Sequence, residues 1–227
     1  PRTAKDAARM PEPVSPYRDS YTFVRIHAVA AMLTTPQAVT ATFMLVWLVR
    51  GHGWSTAAAA GVVTVSQLLG ALGRVAVGRW SDLIGSRTRP VRLIAAAAAA
   101  MLFALALVDQ KASVGAVFLM IAVSVIAVLD NGLEATAITE FAGPTWSGRS
   151  LGVQNTAQRL MAAAAIPLFG TLIAASHYQL AWVLCGLFPL LAIPLVPTRL
   201  IAASSVGEVR CEDISPSSIQ EHRGTRQ

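Results

Sequence analysis

Gly78-Arg79-Trp80-Ser81-Asp82-Leu83-Ile84-Gly85-Ser86-Arg87-Thr88-Arg89 is a short, basic, glycine-punctuated stretch between two long apolar runs. It holds one acid, Asp82, and arginines at 79, 87 and 89, while the sequence on either side is too apolar for a soluble domain. A connector this polar between runs this apolar reads as a cytoplasmic loop joining two membrane-spanning helices. The rest of the chain follows from that reading.

The 227 residues are 54% hydrophobic and only 13% charged, against about 25% charged in an average soluble domain. Several apolar runs reach the ~20 residues that a bilayer span needs. The net charge of +6 does not form one patch or one basic helix. Its lysines and arginines fall in turns between apolar runs, which excludes a nucleic-acid partner and makes the lipid bilayer the surrounding medium. Of the two cysteines, Cys185 lies in an apolar run and Cys211 in a polar tail, so no disulfide is expected. The first 20 residues hold no apolar signal segment, and a chain beginning at Pro1 is expected to be trimmed or to be a piece of something longer.

Taken in order, residues 1–20 are proline-rich and mixed in charge, a linker expected in the cytoplasm. Spans follow at Tyr21 to Val49, Trp54 to Val77, Val91 to Val108, Ala112 to Thr139, Ser150 to Ala175 and Leu180 to Val196. Pro36 is expected to kink the first, and Gly61, Gly70 and Gly73 to let the second pack closely. Glu140 to Arg149 is read as a loop. Residues 198–227 are polar, rich in Ser and charge, and expected to be a disordered tail. The expected fold is therefore all-α, an integral membrane bundle of six transmembrane helices over residues 21–197. Basic residues of the short connections concentrate on the side of Arg79, Arg87, Arg89 and Arg149, against Arg50 and Lys111 on the other. That bias expects both termini in the cytoplasm and a multi-pass protein of the plasma (inner) membrane.

The stretch at 78–89 resembles the signature loop of the major facilitator superfamily, G-x-x-x-D-[RK]-x-G-[RK]-[RK]. Gly78, Asp82 and Gly85 match, as does Arg87 at the last basic position, while Leu83 and Ser86 replace basic residues. In that family the loop joins the second and third helices and recurs, degraded, between the eighth and ninth. Glu140, Pro144 and Arg149 are similar to an acid–proline–arginine cluster after the fourth or tenth helix of some members. The resemblance implies half of a major facilitator fold, its C-terminal six-helix half. The activity it implies is secondary transport of a small solute by alternating access, with protons as a coupling ion. The implied partners are an N-terminal six-helix half or a second copy.

The loop residues Gly78, Asp82, Gly85, Arg87, Arg89, Glu140 and Arg149 are candidates for a gate. Gly78 and Gly85 permit a tight turn and close helix approach, Asp82 can cap a helix or face a helix N-terminus, and Arg87 or Arg89 can pair with Glu140. The alternative is that the arginines only set topology. A second set lies within the spans, where an ionised side chain costs roughly 2.5 to 3.5 kcal/mol on insertion. Asp130 lies nine residues before Thr139 and Arg159 nine residues after Ser150. At ~1.5 Å per residue both then lie roughly 13 Å inside one boundary. An Asp130–Arg159 ion pair facing a water-filled cavity is expected, with Glu134 opposite Asn155 at a shallower level. The pair is either a substrate or proton site or a satisfied structural pair. Gln158 joins this set, and Gln37 and Gln67 either line the same cavity or hydrogen-bond between helices. Arg25 is expected to snorkel, and His27 to be packed or capped.

Gly148-Arg149-Ser150-Leu151-Gly152 fits the G-x-S-x-G nucleophile elbow, but that elbow needs a strand before the serine. Here a membrane helix begins, with Ser150 as its expected N-cap. No metal-ligand spacing and no phosphate-cradling glycine loop occurs, so neither enzyme activity nor a cofactor is expected. The alternative to a transporter is a non-transporting six-helix remnant or assembly subunit that must pair with another half.

Overall fold

The computed structural model describes residues 15, 17, 21–109 and 114–197. The linker (but for two residues), the turn at Gln110-Lys111, the tail and Cys211 lie outside the described residues. All regular elements among the described residues are helical: α1 (Tyr21–Val46) with a π-helical turn at Trp47–Gly51, α2 (Thr56–Leu83), α3 (Thr88–Val108), α4 (Val114–Ile126), α5 (Asn131–Ala174) and α6 (Tyr178–Ala192), closed by a 3-10 turn at Ile193–Leu195. Helices are what lipid requires, since each backbone N–H and C=O must find its partner within the segment. α1 is helical straight through Pro36. α2 starts at Ser55, whose Oγ accepts from the Ala58 N–H at 3.3 Å, an N-cap.

Five segments are long and apolar enough to cross a membrane: Tyr21–Gly51, Thr56–Leu83, Thr88–Val108, Val114–Ala174 and Tyr178–Leu195. The fourth, 61 residues long, takes the place of two separate runs. The loop expected at Glu140 to Arg149 does not form; these residues are helical except at Gly143, where φ is 71° and ψ 176°. Such angles are open to glycine and strained for any residue with a Cβ. Pro144 follows at once, where a new helix tolerates a missing N–H. At Gly143 the chain doubles back. Before it, Leu133 packs with Val29 and Leu33, and Ile138 with Phe23 and Ile26. Just before it, Phe141 stacks on Phe23 at 5.4 Å between ring centres; after it, Leu151 packs on the same Phe23 cluster and Gly170 faces the Phe43 ring. The first arm of α5 thus runs against α1 and the second arm alongside it. Ser150 is accordingly not an N-cap: the helix is already under way, and its buried Oγ has no hydrogen-bond partner.

Two apolar clusters fill the bundle. One gathers Trp47, Leu102, Leu105, Met120, Phe169 and Trp182, the other Val29, Leu33, Val91, Ile94 and Leu133. Lipid tails are as apolar as these side chains, so close packing has to hold the helices together. Small residues supply it. A Cβ on Gly70 or Gly73 would meet Val128 at 2.7 Å or Leu129 at 2.5 Å, and one on Gly186 would meet Phe103 at 3.1 Å. Gly61, by contrast, has open space.

The end of α6 is tied down by arginines. Arg25 donates to the carbonyls of Leu195 (3.0 Å) and Pro194 (2.9 Å), and Arg92 to that of Val196 (2.9 Å). Helix-terminal carbonyls lack internal partners, so Arg25 serves as a C-terminal cap and not as the snorkelling residue the sequence led us to expect. His27 is packed as expected, buried and bonded to the Tyr17 hydroxyl at 3.0 Å.

The turn between α2 and α3 is built by Gly85 alone. Its φ of 59° is left-handed. The Gly85 N–H donates to Asp82 O at 3.2 Å and the Ser86 N–H to Ser81 O at 3.3 Å, the paired bonds of a Schellman ending. Gly78 makes neither a turn nor a close approach: it lies inside α2 with nothing near an added Cβ. Opposite outcomes are therefore expected for two alanines in one motif. Gly85→Ala should lower the unfolding free energy by about 1–2 kcal/mol, whereas Gly78→Ala should raise it by roughly 0.5–1 kcal/mol, both read by denaturation in detergent.

Candidate functional site

At the Gly85 end of the bundle, Arg87 gathers the acids. Its guanidinium donates to the Asp82 carboxylate, to Ser81 Oγ at 3.2 Å and to Glu140 Oε1 at 2.9 Å. The Glu140 hydrogen bond, first among the causes, holds Arg87 above its ordinary pKa. A raised basic group stabilises at every pH below its unfolded value and is lost only in strong alkali, so this cluster does not titrate through Arg87 near neutrality. The acids are well exposed, Asp82 at 63% and Glu140 at 48% of the side chain, which limits each pair to less than about 1 kcal/mol. Arg89 stays out: it is exposed, and only its backbone N–H is engaged, by Ser86 Oγ at 3.4 Å. Arg149 sits 5.0 Å over the Trp146 ring, a cation–π contact, and does not join Glu140.

Within the bundle lies a cavity of about 560 Å³ between α1, α2 and both arms of α5. Gln37, Asn155, Gln158 and Arg159 line it together. Gln67 is not among the lining residues; it is exposed on α2. The Asp130–Arg159 ion pair does not form. Asp130 and Glu134 are each 2% exposed and lie behind the wall, while Arg159 is exposed in the cavity. No salt bridge reaches either acid among the described residues. The acids lie one helical turn apart with their carboxyl groups side by side. Glu134 Oε2 accepts from Gln158 Nε2 at 3.3 Å. The expected facing of Glu134 with Asn155 is thus three residues out of register. Depth was counted from a loop that the structure replaces with a single bent residue.

Among the lining residues that were not candidates from the sequence are Arg74, Asn131 and Gln154. Arg74 falls inside the second expected span and lies nine positions before the end of α2 at Leu83. The depth rule applied to Asp130 would have found it. Gln154 is 4% exposed, and its Oε1 has no hydrogen-bond partner.

The opposite end holds a buried polar knot that the sequence reading passed over as a turn. Asp109 Oδ1 accepts from Trp47 Nε1 at 2.9 Å and Oδ2 from Trp182 Nε1 at 3.0 Å, with His52 Nε2 3.2 Å from Oδ1. The His52 and Asp109 side chains are 4% and 6% exposed. One carboxylate thereby joins the end of α3 to the π-helical turn and to α6. The signal in the sequence was two tryptophans, each needing an acceptor when buried.

Helices long and apolar enough to cross a membrane thus surround an open polar cleft, with a charged cluster at one end. The sequence profile of the Major Facilitator Superfamily matches residues 2–166, and the chain belongs to that family. It is 68% identical over 201 residues to an uncharacterized MFS-type transporter of Mycobacterium tuberculosis strain H37Rv, covering 88% of this chain and 45% of that protein. An uncharacterized MFS-type transporter of Mycobacterium tuberculosis strain CDC 1551 is 67% identical over the same shares. The chain therefore spans about half the length of the curated relatives it matches.

Replacing Asp109 leaves three buried donors facing no acceptor. Asp109→Ala should cost about 3 kcal/mol, several times the effect of Arg87→Ala at the exposed cluster. Thermal unfolding of both variants, followed by tryptophan fluorescence, measures the difference.

Proposed function

We propose that this chain is the C-terminal half of a secondary transporter that moves a small solute across the plasma membrane by alternating access. The observation that carries the reading is the cavity lined by Gln37, Asn155, Gln158 and Arg159 inside helices apolar enough to cross a membrane. Polar and ionisable groups inside such helices are costly and mark substrate or ion pathways. Six crossings fit the chain. A straight helix of 61 residues would be about 90 Å long, some three times the ~30 Å hydrocarbon core. The bend at Gly143 supports two crossings within it. Both ends of a six-crossing unit then share the side of Asp82, Arg87 and Glu140, the cytoplasm by the charge bias.

The Asp82–Arg87–Glu140 cluster acts as the gate on that face. Weak exposed pairs suit a contact that must break in each cycle, and Gly85 holds Arg87 in place to make it. Asp130 and Glu134 are the coupling site. Two buried carboxyl groups side by side with no ion-pair partner among the described residues need a proton between them to sit in an apolar bundle. Gln158 links Glu134 to the cavity wall, so solute and proton sense each other through one side chain. The missing wall of the cavity comes from an N-terminal six-helix half or a second copy.

The intact polypeptide, sealed in proteoliposomes with a trapped pH dye, tests this. Addition of a transported solute should shift internal pH. Glu134→Gln should abolish that shift while leaving solute exchange without net flux. If no solute crosses with the wild-type protein, the transport reading fails and a non-transporting assembly subunit takes its place.

A further inference from the structure

The geometry points to an organic anion as the solute: a carboxylate or phosphate head on an apolar body, held between Arg74 and Arg159. This deepens the transport reading above and rests on it. Both guanidiniums line the one cavity, and neither has an ion-pair partner among the described residues. No Asp or Glu is in the lining. Arg159 is sixteen residues past Gly143 and fifteen before Ala174, near the middle of its arm. Arg74 is nine residues inside the end of α2, roughly 13 Å along the axis. Two like charges at such depth repel each other and resist desolvation, and an anion between them removes both costs.

The bundle's own acids do not serve. Asp130 and Glu134 are turned away, with Glu134 occupied by the amide of Gln158. Guanidinium forks match the planar oxygens of carboxylate or phosphate two bonds at a time. Gln154 adds a buried, unpartnered acceptor that can take a hydrogen bond from a hydroxyl or amide on the same solute. Further along the same helix faces the lining turns apolar, at Ala41, Ala162 and Ile166. The volume of about 560 Å³ lies within the ~300–1,000 Å³ range of small-molecule sites. A bare inorganic ion would leave the apolar wall unused.

An isosteric series reads the charge directly. Benzoate, benzamide and benzylamine, with phenyl phosphate and inorganic phosphate beside them, are added to the intact detergent-solubilised transporter, and melting temperature is followed against concentration. Benzoate or phenyl phosphate should stabilise, and benzamide and benzylamine should not. Arg74→Gln and Arg159→Gln should each weaken the effect roughly 10- to 100-fold, with Arg159→Lys retaining most of it. The unliganded melting temperature of each variant shows whether it folds. Stabilisation by benzylamine or benzamide, no stabilisation by any anion, or an anion effect untouched by both glutamine variants overturns the inference. That last outcome, with lowered unliganded stability, means the arginines pair with acids of the other half. Benzoate uptake into proteoliposomes separates the two readings. Anion binding without uptake counts against transport and leaves the site standing. Uptake of the neutral or cationic analogue, unaffected by either arginine, keeps transport and removes the anion.

Discussion

Everything inside this bundle depends on one backbone position. Gly143 takes a conformation that a residue with a Cβ adopts only under strain, and this non-helical residue is where the chain doubles back between two helical arms. The reversal lays both arms of α5 against α1, so that Glu134 and Gln158, far apart along the chain, meet through a hydrogen bond. It also presents Leu151, Asn155 and Arg159 to the same space as Gln37. A looser connection of several residues would let the arms rotate, and one face of the cavity would lose its register. The polar chemistry of the bundle is therefore fixed by a residue that carries none.

The helical, membrane-crossing character was legible because it rests on composition and length, which need no tertiary information. The tight turn was legible at Gly85, where a glycine between polar residues meets two hydrogen bonds that need it. At Gly78 the same residue type in the same motif has no such task, since the helix is still running. The candidate cavity residues Gln37, Asn155, Gln158 and Arg159 were found because polar side chains in apolar runs must face something other than lipid. Gln67 obeys that rule in sequence yet is exposed and outside the lining, because period alone does not say how far along α2 the neighbouring helices reach. The Asp130–Arg159 pairing failed for a metric reason. Depth was counted from an assumed ten-residue loop, and a bend of one residue changes which turn faces which. The Asp109 knot was invisible since its four members come from three separate parts of the chain.

The distribution of charge has a consistent logic. At the two ends, carboxylates meet partners: Asp82 and Glu140 with Arg87, Asp109 with two indoles and an imidazole. Between the ends, acids and bases are kept apart. Asp130 and Glu134 lie behind the wall, and Arg74 and Arg159 stand in the open space. Buried ion pairs gain little over apolar packing, whereas separated charges stay free to answer a visitor. The closed ends give the bundle its rigidity and the divided middle its chemistry.

The arginines that cap the last helix have a topological consequence. Arg25, in the first turns of α1, holds the carbonyls of Pro194 and Leu195, and Arg92 holds that of Val196. The place where the chain enters the bundle and the place where it leaves are thus stitched together, and the helices between them form a closed ring of connections. Neighbouring entry and exit points are what permit a unit to be inserted into another chain or circularly permuted. The bundle is built as a unit with a single seam, its first and last helices closed on each other.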